Sequence, residues 1–412
     1  MNQYKKTITA CYIGFFVMAV ACNLSPLLYV TFMAEFGITF EQVGRLTLLN
    51  FFTQIITSLS FSRPTDRHGS RPYVVLANLL VFVGFLLMAS SRTLFSFNPY
   101  VGLMIATVIY SVGAGLFELL LNIIFLAIPG DTKERATSLL HSFYAWGLIV
   151  CVVVTTILIK VLGRANWPLI ILLWSILPLY NFFNFMRVPI APSVSEEQRT
   201  PIRALISSRY FILVLIGIAV GGATEVSISQ WTSTFAESAL GLSKEVGDLV
   251  GVCLFALLLG ASRAIFGSWK RGEFPLLKAM SAGAFLCIVC YLVAALSPSP
   301  MISLIACVLC GLGSGLLWPG SVANASNHFP LAGASLFALL AAGGNVGAAM
   351  GPWLIGLTAD IAPTLVQAAP WLRHLSTSEV ALRSGMLVGT LFPILMVLFL
   401  ALMRRENNVI EE

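Results

Sequence analysis

Two glutamates stand inside long apolar stretches of this 412-residue chain. Glu118 lies in GAGLFELLLN and is followed four residues later by Asn122, while Glu225 lies in GGATEVSISQW and is followed at the same spacing by Ser229. Four residues are about one helical turn, so each carboxylate shares a helix face with a hydrogen-bonding side chain. An ionised acid at the centre of a bilayer costs about 2.5–3.5 kcal/mol, and acids kept there commonly serve proton relays or polar cavities. These two faces therefore predict sites for a proton or a polar ligand.

The apolar segment 42–61 adds a stripe of hydrogen-bonding side chains, Asn50, Gln54 and Ser58, at steps of four. Lipid cannot satisfy an amide, so this stripe is expected to face the interior of a helical bundle. Together with the two acidic faces, the stripe predicts a ring of ligand-binding groups. The predicted substrate-binding residues are Asn23, Asn50, Gln54, Asn122, Glu225, Ser229, Trp231, Trp318 and Asn345.

The same side chains also have a purely structural interpretation. Hydrogen bonds between membrane helices are worth roughly 0.6 kcal/mol each on average, and such bonds would hold a bundle together without binding a ligand. Trp231 and Trp318 are equally consistent with packing or with lipid contact. Glu118 fits the structural interpretation least well, because an amide would serve structure at lower cost.

Glu118 is predicted to carry the coupling proton of a transporter. Burial away from water favours the neutral form of a carboxyl group, and a neutral Glu118 can pass through a conformational change that opposes a buried charge. Coupling then requires that the proton and the solute bias the same two-state equilibrium. Glu225 has two open roles, as a hydrogen-bond partner for solute hydroxyls or as a ligand for a sodium ion.

The elements that position these residues are long apolar helices. The chain is 58% hydrophobic and only 10% charged, against about 25% charged residues in soluble domains. A window of about 20 apolar residues, the length of a membrane span, finds about twelve candidates. These predicted spans are 8–32, 42–61, 73–91, 100–128, 138–161, 166–186, 210–235, 247–267, 276–297, 301–326, 334–358 and 384–403. The first is too long for a cleaved signal peptide and lacks a small-residue cleavage site.

The positions of lysine and arginine predict an orientation. If the N-terminus is cytoplasmic, sixteen of the 24 basic residues fall on the cytoplasmic side and seven on the other, with Arg263 inside a span. This bias predicts that both termini are cytoplasmic, which requires an even number of spans. The net charge of +6 is therefore a topology signal. It does not indicate nucleic-acid binding, since no basic cluster is interleaved with aromatic residues.

Internal similarity divides the chain into two halves. GAGLFE at Gly113–Glu118 matches GSGLLW at Gly313–Trp318, and LLHSFYAWG, ending at Gly147, matches LLAAGGNVG, ending at Gly347. This constant offset predicts two parallel six-helix repeats around a central site, as in many transporters. The predicted fold is an all-α membrane protein with a bundle at 1–187, a cytoplasmic linker at 188–209 and a second bundle at 210–412.

The loop DRHGSR after the second span resembles the signature of the major facilitator superfamily. Asp66, Arg67, Gly69 and Arg71 match that signature, while Ser62 and Pro72 depart from it. Within the superfamily, FELLLN, LLHSFYAWG and GGATEVSISQW resemble the fourth, fifth and seventh spans of the fucose/glucose–proton symporter family. The chain departs from that family in the first span, where Ser25 and Pro26 replace an aspartate.

The resemblance implies that the loop is a gate. Asp66 would lie against the N-terminal end of a helix in the second half, where the helix dipole favours a carboxylate. Gly69 would permit a tight turn. The alternative is a solvated charged turn without a gating role. The resemblance also implies that the protein works as a monomer.

The composition of the ring favours a neutral solute. Arg263 is expected to extend toward the cytoplasmic interface or to pair there, so no lysine or arginine is expected at mid-depth. An anionic solute would then lack a counter-charge, at substantial desolvation cost. The sequence therefore predicts a proton-coupled importer of a sugar or a similar small neutral polar solute in a bacterial inner membrane. A sodium-coupled sugar symporter and a drug–proton antiporter are the alternatives.

Other classes of protein are disfavoured. The sequence has no phosphate-binding glycine loop, no metal-spaced His/Glu helix and no nucleophile elbow, so an enzyme, a cofactor, a metal site and ATP-driven pumping are not expected. The two CxxC spacings lie in apolar spans without histidine or acidic partners, and their cysteines are expected to be small packing residues. A non-transporting sensor on a transporter fold stays open.

Overall fold

The architecture follows from long apolar segments that must satisfy their own backbone hydrogen bonds. A computed structural model describes residues 4–128, 133–191, 202–268, 276–329, 333–366 and 376–411. Within these ranges the regular elements are helices and no strand occurs. Eleven of the described helices are long and apolar enough to cross a membrane. The predicted all-α membrane fold is confirmed.

The helix that contains the predicted span 42–61 is long but less apolar than the other spans. It runs unbroken over Phe40–His68, yet it is not among the eleven. The polar stripe with Asn50, Gln54 and Ser58 lowers the mean hydropathy of this helix. Such a stripe is tolerated because a helix that faces polar neighbours needs less apolar surface than one that faces lipid. Length together with the polar stripe therefore identifies this helix better than hydropathy alone.

The chain forms two compact units. Unit 1 comprises Met1–Ile38 and Leu49–Ser195. Its helices are α1 (Lys5–Leu27), α2 (Tyr29–Phe36), the larger part of α3 (Phe40–His68), α4 (Ser70–Ala89), α5 (Ser91–Leu94), α6 (Pro99–Leu126), α7 (Lys133–Leu162) and α8 (Trp167–Arg187).

Unit 2 comprises Thr39–Leu48 and Glu196–Glu412, so it includes the first turns of α3. A π-helical segment, Val246–Cys253, leads into α11. The other helices of unit 2 are α9 (Ile202–Ile206), α10 (Arg209–Ser238), α11 (Leu254–Ser268), α12 (Leu276–Leu296), α13 (Pro300–Ser314), α14 (Leu317–His328), α15 (Gly333–Val366), α16 (Thr377–Gly389) and α17 (Leu391–Glu411). Residues 192–201 of the predicted linker lie outside the described residues.

Glycines let the helices that carry the polar residues pack closely. In unit 1 a Cβ on Gly115 would lie 2.9 Å from the Cα of Gln54, so α6 and α3 are in backbone contact there. In unit 2 a Cβ on Gly347 would overlap the carbonyl oxygen of Ala219, so only glycine lets α15 lie this close to α10. Small residues at such crossings are typical of membrane helices, which associate through close packing.

Candidate functional site

A cluster of amides joins three helices of unit 1. Asn50 on α3 accepts hydrogen bonds through Oδ1 from Gln54 Nε2 at 2.9 Å and from Ser111 Oγ on α6 at 2.8 Å. Gln54 Nε2 also lies 3.6 Å from Cys22 Sγ on α1. Asn50 and Gln54 are almost fully buried. The sequence-based expectation that this stripe faces the bundle interior is met, and these bonds are of the structural kind that the sequence left open.

Asn23 links α1 to α7 at the edge of this amide cluster. Its Nδ2 donates to the Ala19 carbonyl at 2.8 Å and lies 3.3 Å from the Tyr144 hydroxyl. The side chain is buried. Asn23 therefore both satisfies its own helix backbone and connects two helices, so any part that it has in ligand binding would be shared with these contacts.

Glu118 and Asn122 occupy one face of α6, next to the amide cluster. Both are half-buried. Asn122 Nδ2 donates to the Glu118 carbonyl oxygen at 3.2 Å, whereas its Oδ1 is buried and has no hydrogen-bond partner within the described residues. Gly115, one turn before Glu118, is in contact with the backbone of Gln54. Since buried polar atoms are nearly always bonded, the Asn122 oxygen marks a place where a ligand or water can donate.

Ser58 lies one turn beyond Gln54 and ties α3 to the same helix. Its Oγ donates to the Gly115 carbonyl oxygen at 3.3 Å, where the two backbones approach closely. This contact helps to hold α6 in register beside the amide cluster. The position of Glu118, one turn further along α6, thus depends on a small residue at 115 and on the polar stripe of α3.

Glu225 in unit 2 is held by an arginine. Arg263 on α11 places Nη2 2.7 Å from Glu225 Oε1 and 2.9 Å from Oε2. The Arg263 side chain is 38% exposed and that of Glu225 is 13% exposed. Glu225 is near the middle of the 30-residue helix α10. The pair therefore places a cation beside a residue that the sequence predicted to bind substrate.

This ion pair bears out the expectation that Arg263 is paired and identifies its partner as Glu225, a predicted substrate-binding residue. An unpaired buried carboxylate would be far costlier than a paired one, and Arg263 on the adjacent helix supplies the charge. The argument from the sequence against an anionic solute rested on the absence of a cation at mid-depth. Arg263 removes that argument.

A break in the tenth span supplies a second partner for Arg263. The span is divided into α13 and α14, with Gly315 and Leu316 between them. The helical donor for the Gly315 carbonyl would be the N–H of residue 319, which is proline and has none. Arg263 Nε donates to that carbonyl at 3.3 Å instead. Discontinuous helices of this kind are where transporters commonly expose backbone groups to ligands.

The other predicted residues of unit 2 differ in accessibility. Trp231 is fully buried and donates through Nε1 to the Pro352 carbonyl at 2.9 Å, so it has the packing role that the sequence left open. Trp318 is half-buried and lies directly on Gly344, where a Cβ would overlap its indole ring. Asn345 is buried, and Ser229 is half-buried one turn beyond Glu225. Ser229 therefore shares the helix face of Glu225.

A second buried ion pair was missed in the sequence. Lys244 Nζ lies 3.0 Å from Asp248 Oδ2, and the two side chains are 5% and 0% exposed. The Ser233 hydroxyl on α10 donates to Asp248 Oδ1. Gly247 and Gly251 of the π-helical segment pack against α10. Two signals were present: Lys and Asp at a spacing of four, and a small-xxx-small pattern. Both were hidden because Lys244 was assigned to an external loop.

The predicted gating loop is partly described. Gly69 has a φ of +79°, which fits the expected turn, and Arg67 is exposed. Arg71 donates to three carbonyl oxygens at the end of α8, those of Phe185, Met186 and Val188. These are orphan acceptors of a helix C-terminus. Arg71 thus anchors α4 to α8, while the Asp66 side chain lies outside the described residues.

A carboxylate caps the other end of α3. Asp360 on α15 accepts from the backbone N–H groups of Phe40 at 3.1 Å and Glu41 at 2.8 Å. The Glu41 carboxylate in turn accepts from Trp353 Nε1 at 2.7 Å. A negative charge at a helix N-terminus is favourable because it meets orphan donors and the positive end of the dipole. All these residues belong to unit 2.

Comparison with known proteins agrees with this architecture. The family model of the Major Facilitator Superfamily matches residues 10–352. No curated protein sequence matches the chain significantly. Among solved structures, a bacterial homologue of the human lysosomal transporter Spinster is similar with a TM-score of 0.77 and 13% identity, covering 98% of this chain and 97% of that one.

Two further structures have the same fold. A point mutant of the nucleoside transporter NupG has a TM-score of 0.75 and 12% identity, with 97% of this chain and 99% of that chain covered. A point mutant of the fucose:proton symporter FucP of E. coli has a TM-score of 0.64 and 15% identity, with the same coverage. At these identities the likeness concerns the fold. The family match over most of its length, together with this fold, shows that the chain is a transporter of the Major Facilitator Superfamily.

Proposed function

We propose that the protein is a proton-coupled symporter of a small polar solute of sugar size, with Glu118 as the site of the coupling proton. The observation that carries this proposal is the setting of Glu118. It is the single charged residue of α6 by sequence, and it lies beside a buried amide cluster and the unpartnered oxygen of Asn122. A carboxyl group that must be buried and also change protonation fits such hydrogen-bonding surroundings.

The coupling follows from the two states of that carboxyl group. Protonated Glu118 is neutral and tolerates occlusion, whereas the ionised form favours the state in which water reaches it. A solute that binds more tightly to the protonated form makes the two equilibria interdependent. The bundles at 1–187 and 210–412, joined by the linker 188–209, would alternate access as a monomer. Both termini would face the cytoplasm of a bacterial inner membrane.

The proposed solute belongs to a class of small molecules that carry several hydroxyl groups. Amide groups both donate and accept hydrogen bonds, as sugar hydroxyls do. Two proteins of the same fold carry hydroxylated solutes by their names, a fucose:proton symporter and a nucleoside transporter. Asn122, with its open acceptor, is the residue of unit 1 that we assign to solute binding. Because Arg263 supplies a cation at mid-depth, neutrality of the solute is no longer required.

Uptake into liposomes tests this function. We expect the purified protein to concentrate one member of a panel of labelled monosaccharides and sugar acids only under an inward proton gradient. Glu118→Gln should exchange a neutral solute across the membrane without concentrating it, because a permanently neutral residue cannot carry the proton. Glu379→Gln, which removes an acid from an Arg–Glu pair on α16, is the matched control and should retain concentrative uptake.

Other outcomes would overturn the proposal. Uptake driven by a sodium gradient alone would assign a different coupling ion. Proton efflux driven by cationic drugs, with no uptake of any hydroxylated solute, would favour an antiporter. Full concentrative uptake by Glu118→Gln would remove Glu118 from the coupling step.

A further inference from the structure

The guanidinium of Arg263 is engaged on one side and open on the other. Both oxygens of Glu225 approach the same nitrogen, Nη2, and Nε bonds the Gly315 carbonyl. No partner of Nη1 is found in the described part of the chain. The Arg263 side chain is 38% exposed, almost three times the 13% of Glu225. A larger fraction of the Arg263 side chain than of the Glu225 side chain is therefore accessible.

The orientation of the guanidinium is fixed before a ligand arrives. The Gly315 carbonyl is available because Pro319 cannot donate to it, and Gly315 lies tightly against α11, where a Cβ would be 2.8 Å from the Cβ of Ser262. A planar guanidinium held at Nε and Nη2 presents Nη1 in a set direction. Arginine in this arrangement suits a carboxylate, which it can bind through two parallel hydrogen bonds.

The electrostatic surroundings of Glu225 are simple. Among the described residues packed against the middle of α10, Arg263 on α11 is the charged group that reaches Glu225. Tyr291 on α12 donates its hydroxyl to the Thr224 carbonyl, and α14 and α15 bring the uncharged Trp318 and Asn345. The Lys244–Asp248 pair contacts Ser233, about two turns further along α10. Protonation of Glu225 therefore changes the environment of one cation, Arg263.

We propose that Arg263 binds a carboxylate on the transported solute, and that Glu225 releases Arg263 by taking up a proton. The solute class is a hydroxylated monocarboxylate, such as an aldonic or uronic acid. This assignment rests on the proposed proton-coupled transport of a polar solute. Arg263 stays paired throughout, with Glu225 when the site is empty and with the solute when it is full.

The exchange conserves charge. An incoming proton binds a carboxylate oxygen of Glu225, and the solute carboxylate takes the place of Glu225 at Arg263. The O–H bond of protonated Glu225 is the one covalent bond that forms. Before binding, the positive charge of Arg263 is balanced by the negative charge of Glu225. After binding, it is balanced by the solute carboxylate, and protonated Glu225 is neutral. No state leaves an unpaired buried charge, which would be the costly alternative.

Transport of matched acid and neutral solutes tests the proposal. The probes are labelled aldonates, uronates and their neutral parent sugars, taken up by proteoliposomes at a clamped membrane potential. We expect the wild type to carry an acid with an apparent affinity that rises as pH falls. Arg263→Gln should lower uptake of the acid by roughly thirtyfold or more, the effect of removing one partner of a desolvated charge pair. Glu225→Gln should keep acid exchange but lose the part of the pH dependence that comes from the release of Arg263, so that only the part due to Glu118 is left.

Two controls separate this role from a structural one. The double variant Glu225→Gln/Arg263→Gln leaves no unpaired charge, so it should fold and still fail to carry the acid. Arg383→Lys alters another Arg–Glu pair of unit 2, on α16, and should leave the preference for acids unchanged.

The outcomes distinguish failure of this proposal from failure of the proposed function. Proton-driven uptake of a neutral sugar with no uptake of any acid would overturn the role of Arg263 and leave the function standing. Equal loss of acid and neutral transport in the double variant would assign the pair to structure and would also overturn the proposal. Acid uptake that ignores the proton gradient in the wild type would overturn both.

Discussion

The acids of the two units have different neighbours among the described residues. Glu118 in unit 1 lies beside amides, with Asn50 and Gln54 bonded to each other and Asn122 bonded to the Glu118 backbone. Glu225 in unit 2 is bonded directly to Arg263. The internal repeat makes the contrast sharper, because the residue 200 positions after Glu118 is Trp318, which packs on Gly344. The two repeats have equivalent helices, but their acids lie on helices that are not equivalent and have different partners.

This contrast separates two ways of keeping a carboxyl group inside a membrane protein. Uncharged surroundings allow the acid to become neutral by protonation, which suits a group that must gain and lose a proton. An arginine keeps the acid ionised until something competes for the arginine or protonates the acid. Under the proposed function, Glu118 of unit 1 would be the proton site, and Arg263 of unit 2 would be a cation whose availability depends on Glu225.

The largest expected effect on stability is at the second ion pair of unit 2. Lys244→Met removes one partner of a pair that is at most 5% exposed, and it should cost about 3–5 kcal/mol because Asp248 is left buried with its charge uncompensated by lysine. Replacing both residues, as Lys244→Met/Asp248→Leu, should recover most of that loss. Thermal unfolding of the purified protein in detergent measures both. If the double variant were as unstable as the single one, packing rather than charge would be the cause.

A smaller effect is expected in the amide cluster of unit 1. Asn50→Leu removes the acceptor of Gln54 Nε2 and Ser111 Oγ, and it should cost about 1–2 kcal/mol, since each bond is worth about 0.5–1.5 kcal/mol. Ser111→Ala removes one of the two bonds and serves as the matched variant, with about half the loss. Unfolding in the same detergent checks the order. A loss as large as that for Lys244→Met would contradict the distinction between the units.

The cap on α3 should contribute less still. Asp360→Asn keeps the size of the side chain but removes the negative charge from the first turn of the helix, and it should cost about 1 kcal/mol. Glu41→Gln, which retains an acceptor for Trp353, should cost less. Hydrogen exchange of the amides of Phe40 and Glu41 measures the local effect. Unchanged exchange in Asp360→Asn would show that the charge adds nothing to the hydrogen bonds.

The sequence predicted the helices well because membrane spans need long apolar runs, which are visible residue by residue. It also predicted that Asn50, Gln54, Glu118 and Glu225 lie on inward helix faces, because each has a polar neighbour four residues away. Asn50 and Gln54 are buried, and the two glutamates are half-buried. Which partner each side chain has depends on how helices cross. Arg263 was assigned to the interface because its own helix gives no sign of Glu225, which is 38 residues away.

One part of the site was nevertheless predictable in principle. Pro319 deprives the Gly315 carbonyl of its helical donor, so a donor from another helix was required there. The sequence shows that a donor is needed, but it does not show which helices pack together and therefore that Arg263 is the donor. Similarly, Lys244 and Asp248 have the spacing of an intrahelical pair, while their burial depends on Gly247 and Gly251 packing against α10.

An effect of similar size, and the most specific one, is expected from Pro319→Ala. Alanine restores an N–H that can bond the Gly315 carbonyl, so Arg263 Nε would lose its acceptor and the guanidinium would be held by Glu225 alone. We expect the KM for an acid solute to rise by the equivalent of about 0.5–1.5 kcal/mol, with little change in kcat, since Arg263 keeps its charge.

Pro393→Ala is the matched control, because it removes a proline from α17. Equal kinetics for the two variants would mean that the helix break does not orient Arg263. A selective rise in KM for acids in Pro319→Ala would show that the break in span ten sets the direction of the cation, and that unit 2 differs from unit 1 in its backbone as well as in its charges.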